Sequence, residues 1–175
     1  MLKIAPFVLP GTLANYMGKN LVQIGYVTSN MDKAIEYLQE TYGVTKVFRT
    51  TAYYPNNKYM GKHTENNLEF AMVHLGNLQL EIVQPHSGGN PYESYLTDPE
   101  RPMTFHHFAV EVEDWDQTVT DIKKAGYEFC FEGKFEDAVQ FGYIDMTNEM
   151  GCMLEFLYNG PAGVELFNMV KEGRY

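Results

Sequence analysis

Four positions interrupt otherwise apolar stretches of this 175-residue chain: Gln23 in LVQIGYV, Glu81 in LQLEIVQP, a histidine of the His106-His107 pair in FHHFAVEV, and Glu155 in MLEFLYNG. Two carboxylates, one imidazole and an amide oxygen make a donor set suited to one divalent cation such as Zn, Ni, Co, Mn or Mg, without choosing sharply among them. Each residue alone has a plainer use. A lone strand glutamine is commonly a solvated rim residue and a lone histidine a hydrogen-bonded structural one, and short motifs carry false positives. Their weight comes from where they recur.

The chain repeats itself faintly. LVQIGYVTSNMDKAIEYLQETYG, from Leu21, lies over FHHFAVEVEDWDQTVTDIKKAGY, from Phe105, with identity only at Asp32 and Asp116 but with a shared order of apolar strand, polar cap, helix and glycine. Each half then closes on a similar strand, around Glu81 and around Glu155. The four polar residues therefore occupy equivalent places in two copies of one module.

Within the first copy, Val22, Ile24 and Tyr26 alternate with Gln23, Gly25 and Val27, the period of a half-buried strand. Ser29 or Asn30 is placed to cap a helix with Ala34, Ile35 and Leu38 on its apolar face, and Gly43 to end it. Strands are predicted over 44–51, 68–75 and 78–85, the last two joined by a tight turn at His74-Leu75-Gly76-Asn77. The second copy predicts strands over 105–112, 127–131, 141–147 and 152–158, with a helix over 115–124 ended by Gly126. The fold class expected is α+β, two βαβββ modules whose mixed sheets form a cup-shaped metal-binding cavity. The boundaries are an N-terminal extension 1–18, a first module 19–85, a Gly-, Pro- and Asn-rich linker 86–103 with one helical turn, a second module 104–159 and a helical tail 160–175.

Alternation sets Gln23 on one face with Gly25, and Glu81 with Gln79 and Val83, opposite Leu80 and Ile82. Glu155 opposes Leu154 and Phe156. His107 opposes His106, Phe108, Val110 and Val112, although a slip of one residue would bring in His106 instead. If helices cover the apolar faces, the polar groups meet on the concave one. Between the predicted second and third strands, TTAYYPNNKYMGKHTENN holds Tyr53, Tyr54, Tyr59 and Met60 among turn formers and is expected as a lid, or as packing at a sheet edge or dimer interface. Phe141 and Tyr143 are expected to face it across the pocket.

Composition excludes other uses. With 45% apolar residues the chain can bury one sizeable core. With 23 acidic residues against 13 Lys plus Arg, a net charge of -10, its field repels nucleic acid and anionic membrane surfaces. The first residues show neither a signal h-region nor a membrane span, so a soluble, cytoplasmic protein is expected. Cys130 and Cys152 form no C-x-x-C pair and are read as free thiols.

The stretch LVQIGYVTSNMDKAIEYLQETYGV resembles the opening of vicinal-oxygen-chelate (glyoxalase/bleomycin-resistance) proteins, and FHHFAVEVEDWD resembles the start of their second module. VHLGNLQLEIVQPHSGGNPYESYL followed by FHHFAVEV is similar to the methylmalonyl-CoA epimerase branch and related glyoxalase I-like proteins. The resemblance spans residues 20–159 and implies a metal quartet of Gln23, Glu81, His107 and Glu155, with the second histidine of the pair as ligand.

It also implies a metal-dependent isomerase, epimerase or lyase acting on a small-molecule carbonyl or thioester. Glu155, or else Glu81, would remove a proton beside the polarised carbonyl to leave an enolate or enediolate. A homodimer is expected by the same analogy. The chain departs from the pattern in VFRTTAYYP, where such epimerases carry a second acid and this sequence has none. The Gln, Glu, His, Glu set matches glyoxalase I, yet only Arg49, Lys58 and Lys62 are at hand for glutathione carboxylates. A ring-cleaving dioxygenase would need histidine where Gln23 stands. The remaining alternative is a non-catalytic small-molecule binder of the resistance type.

Overall fold

The computed structural model describes residues 12–175, so most of the expected extension lies outside the described residues. Helix α1 (Leu13–Asn20) leads into β1 (Leu21–Val27), α2 (Met31–Tyr42), β2 (Phe48–Tyr59), β3 (Lys62–Leu75) and β4 (Leu78–Ser87). After a single 3-10 turn at Glu93–Tyr95 the order recurs as β5 (Thr104–Glu111), α3 (Trp115–Lys124), β6 (Phe131–Phe135), β7 (Val139–Met146), the one-turn α4 (Thr147–Met150) and β8 (Cys152–Asn159). Helix α5 (Pro161–Glu172) is the last element.

Local chemistry sets the helix limits. The Asn30 side chain accepts from the Lys33 backbone N–H at 3.0 Å to start α2, and Gly43, at φ 67°, ends it in the left-handed conformation that lacks a penalty only for glycine. Asp114 caps α3 in the same way, accepting from Gln117 N–H at 2.9 Å. The apolar stripe of α2 buries Met31, Ala34 and Leu38 against Ala71, Val73, Leu80 and Ile82 of β3 and β4. Truncating a fully buried leucine such as Leu38 to alanine costs about 2–5 kcal/mol. On the second module Ile122 of α3 packs on Val110, Ile144, Leu154 and Phe156, with Tyr16 of α1 edge-on to Phe156.

The eight strands close into one barrel in the order β1-β4-β3-β2-β6-β7-β8-β5. Because a helix crosses back within each module, β1 runs parallel to β4 and β5 parallel to β8, while the hairpins and both seams between modules, β1 with β5 and β2 with β6, are antiparallel. The two sheets of the expected cup thus join at both sides. Among the described residues the barrel leaves no free strand edge, so a second copy would have to meet a face of it.

The tyrosine-rich segment is not a loop. Residues 50–67 belong to β2 and β3, which pair from Phe48↔Met72 to Tyr59↔Lys62 and turn at Met60-Gly61, both at positive φ. The residues that read as turn formers, Pro55, Asn56 and Asn57, sit where the ladder shifts register between Tyr54 and Asn57, the kind of irregularity that accommodates a strand proline. Strand β6 begins at Phe131, later than predicted; before it Phe129 stacks on Trp115 at 5.3 Å, and Cys130 already donates its backbone N–H to Tyr143 O at 2.9 Å.

At the site itself, Gly25 is required by packing rather than by φ. Gly25 on β1 pairs with His107 on β5, and a Cβ there would fall 1.7 Å from the His107 ring. Gly25→Ala is therefore expected to lower stability by about 1–3 kcal/mol and to displace the imidazole, which a denaturation curve together with a divalent-metal titration would detect. Metal binding indistinguishable from the parent would refute this.

Candidate metal centre

Gln23, Glu81, His107 and Glu155 are 1%, 7%, 0% and 4% exposed, and they converge inside the barrel from β1, β4, β5 and β8. The repeat explains how they fit. In each module the residue paired with the glutamate across the parallel strands is small, Gly25 beside Glu81 and Ala109 beside Glu155, so neither carboxylate is crowded by a neighbour on the inner face.

His107 Nε2 lies 3.2 Å from Glu155 Oε2 and 3.7 Å from Glu81 Oε2, and one donor atom from each of the three lies within 4.8 Å of the others. Gln23 Nε2 donates to Gln79 Oε1 at 2.6 Å, which turns its own Oε1 away from that partner. Gln23 Oε1, His107 Nε2 and Glu155 Oε2 are all buried without a hydrogen-bond partner. Leaving a buried polar atom unsatisfied costs roughly 1–3 kcal/mol. An amide oxygen, an imidazole nitrogen and a carboxylate oxygen of this kind, with the Glu81 carboxylate beside them, match what a divalent cation requires, so these residues fit a metal ion.

Electrostatics give the same picture. Burial pushes the Glu155 carboxyl up to about 8, and burial together with the Glu155 charge raises Glu81 well above its ordinary range, with Gln23 acting in the opposite direction. Burial drives the His107 imidazole down to about 3, leaving it neutral and free to offer a lone pair.

The opposed orientation expected for His106 and His107 does not hold. Gly25 pairs with His107 and the next residue, Tyr26, with Phe105, so His106 is the extra residue of a bulge. Both imidazoles consequently turn to the inside, with Nδ1 of one 2.9 Å from Nδ1 of the other. For His107 Nε2 to carry a lone pair, its Nδ1–H donates to His106 Nδ1. His106 is itself wedged by Tyr92 and Tyr95, at centroid distances of 4.9 and 4.6 Å, with the Pro91 backbone close to its ring. It orients His107 as the hydrogen-bond partners of metal-binding histidines do.

A second line fixes Gln23. Gln79, which accepts from Gln23, donates its own Nε2–H to His74 Nε2 at 3.3 Å, and burial lowers the His74 pKa so that this ring stays neutral. Beside Glu155 stands Tyr143, whose hydroxyl accepts from Tyr92 OH at 3.2 Å. Of these residues, Gln79 was legible as sharing the face of Glu81, and the HH pair was visible as an ambiguity. Tyr92, in the linker, carried no signal.

The expected pocket residues divide. Tyr54, Phe141 and Tyr143 line a cavity of about 210 Å3 that reaches Gln23, Glu81 and Glu155. Tyr53 does not; alternation turns it outward, where its hydroxyl donates to Glu65. Tyr59 also stays out of the cavity, packing edge-on to Phe131 at 6.2 Å. Helix α5 adds Leu166 and Phe167 to the cavity wall, a contribution the sequence did not suggest.

The profile of the glyoxalase/bleomycin resistance protein/dioxygenase superfamily matches residues 22–143, and the chain belongs to that superfamily. No curated protein matches it. Its fold is similar to that of a hypothetical protein from Bacillus halodurans C-125, with TM-score 0.55 and 14% identity over 80% of this chain and 94% of that one. It is also similar to a methylmalonyl-CoA epimerase solved with methylmalonyl-CoA and NH4+, with TM-score 0.54 and 16% identity over 82% and 96% of the two chains. The methylmalonyl-CoA epimerase of Mycobacterium tuberculosis gives 0.53 and 15% over 91% and 97%. No helix among the described residues is long and apolar enough to cross a membrane.

His106→Phe keeps an aromatic ring in the wedge but removes the acceptor for His107 Nδ1–H. It is expected to weaken divalent-metal binding about 10–100-fold, measured by competition with a chelating dye, and unchanged affinity would remove His106 from its orienting role.

The shifted groups also set a pH dependence for chelator-treated protein. Folding holds Glu155 protonated up to about 8, whereas the unfolded chain releases that proton near 4.5, so stability falls as pH rises through that window. His107 stays neutral down to about 3 when folded but is protonated below 6.5 when unfolded, so stability also falls as pH drops below 6.5. The two slopes oppose and offset each other between 4.5 and 6.5, so melting temperature should be nearly flat there and fall from 6.5 toward pH 8, and saturating metal should remove the alkaline fall. A profile that rises steadily to pH 8 without metal would contradict this.

Proposed function

We propose that this protein binds one divalent metal ion through Gln23, Glu81, His107 and Glu155 and catalyses proton transfer beside a carbonyl group, as an isomerase, epimerase or lyase of the glyoxalase type. The observation that carries the reading is the convergence of donor atoms of Glu81, His107 and Glu155 within 4.8 Å of one another, all buried, beside a cavity lined by Gln23, Glu81 and Glu155 and large enough for a small molecule. A divalent ion held there would polarise the carbonyl and stabilise the negative charge that develops on its oxygen.

The protein's own groups do the remaining work. Glu155, buried at the cavity wall within the metal centre, is the carboxylate we assign to take a proton from the substrate and return it. Glu81 comes from the other module and flanks the same point, so it is placed to handle a proton from a different side of the substrate. Tyr143, buried beside Glu155, can orient that carboxylate. Gln23 and His107 hold position, fixed by Gln79 and His106 respectively. The apolar walls exclude water that would compete for the proton.

The inward residues of β2 that line the cavity, Phe48, Thr50, Ala52 and Tyr54, include no acid. A two-acid epimerisation that draws its second acid from this strand is therefore disfavoured, and Glu81 is the second carboxyl group that lines the cavity. This sets the chain apart from the epimerases it resembles in fold.

Metal analysis of protein purified without chelator is expected to give about one divalent ion per chain. Glu155→Gln should remain folded and lose solvent-deuterium exchange into a carbonyl substrate by about 10²–10⁴-fold, followed by NMR. Full exchange in that variant would remove Glu155 as the base. A metal-free protein whose ligand binding ignores added metal would instead make this a resistance-type binder.

A further inference from the structure

The cavity that serves the candidate metal centre has a specific chemical character. Its polar groups are the site residues Gln23, Glu81 and Glu155, the tyrosines 54, 92 and 143, and Thr50; the remaining walls are aliphatic and phenyl surface. None of its lining residues, among those described, is a lysine or arginine. Phe135 and Phe141 separate it from an outer groove in which Lys58 and Lys134 are accompanied by Glu132 and Glu136, and Lys58 Nζ lies 3.2 Å from Glu132. The cavity itself thus offers an anion no cation, acidic residues flank the lysines of the outer groove, and the chain as a whole carries a net charge of -10.

Size narrows the occupant further. The cavity measures about 210 Å3, against the roughly 150 Å3 cavity that holds a benzene molecule. One ring with a short oxygenated arm fills it. Charge accounting agrees: two carboxylates balance one divalent ion, so a neutral ligand leaves the buried site neutral, whereas a carboxylate would add a charge with no partner.

We propose that the substrate is a neutral, compact carbonyl compound, one ring or an equally bulky branched skeleton in size, with its oxygens directed at the metal centre that Gln23, Glu81, His107 and Glu155 would form and its carbon frame between Tyr54, Phe70 and Phe141, with no anionic coenzyme or peptide handle. This deepens the proton-transfer reading and rests on it.

The test uses the whole protein loaded with Zn(II), its alanine and methionine methyls isotopically labelled, titrated with 2-hydroxy-1-phenylethanone, with phenylglyoxylate, which keeps the ring but carries a carboxylate, and with coenzyme A. The neutral ketone is expected to bind at least about tenfold more tightly than the acid, because the acid buries an unpaired charge. It should also shift the methyl signals of Ala52 and Met72, which line the cavity. Coenzyme A is expected to shift neither. Equal or tighter binding of the acid, binding of coenzyme A, or ketone binding that leaves both methyls unmoved would each overturn the proposal. Repeating the ketone titration after chelator treatment separates the two readings. Undiminished binding without metal would sink the metal-dependent reaction while leaving the ligand class standing, and preference for the acid by metal-loaded protein would sink the ligand class alone.

Discussion

Two carboxylates buried side by side, facing an imidazole that burial keeps neutral, form the constraint on which the rest of the barrel depends. Removing a carboxylate from water is costly unless it is paired or neutralised. Among the described residues no lysine or arginine lines the space to do so, and the imidazole nitrogen that faces both carboxylates is buried without a hydrogen-bond partner. The arrangement resists its own folding unless a proton or a cation joins it, which is why the raised carboxyls and the lowered imidazole belong to a single account.

Much of the surrounding sequence is arranged to tolerate that constraint. Gly25 gives up its side chain so that the His107 ring can stand over β1, and Ala109 leaves space beside Glu155. His106 spends a bulge in the barrel wall to reach His107, and Gln79 and His74 hold the amide of Gln23 in one orientation. A local break in strand pairing is normally a cost. At this position it turns two imidazoles inward on adjacent residues, which regular alternation cannot do.

Closure of the barrel sets what the site can act upon. The seam between β2 and β6 brings Tyr54 of one module against Phe135 and Phe141 of the other, at centroid distances of 5.6 and 5.7 Å, and α5 adds Leu166 and Phe167 to the same space. Polar chemistry is thereby confined to a small region within an apolar enclosure, where electrostatic interactions are strong because water is scarce. The cavity's charge and size follow from this packing and from no single strand.

Much was legible in the sequence because it is governed by local periodicity. Alternation placed Gln23, Glu81 and Glu155 on inner faces, a cap at Ser29 or Asn30 and the glycines at 43 and 126 delimited the helices, and the two-fold repeat made four scattered residues equivalent. What failed did so where the outcome depends on strands far apart in the chain. The His106 bulge exists only because β5 must register with β1, the turn formers after Tyr54 were absorbed into a long hairpin by pairing with β3, and Tyr53, Tyr54 and Tyr59 were sorted by a ladder the sequence does not display. Tyr92 and α5 reached the cavity through tertiary packing alone. The sequence by itself determined the donor types and the modules that carry them; the tertiary structure alone decided which atoms meet without partners and how large and uncharged the space beside them is, because those quantities arise from contacts between segments and are written in none of them.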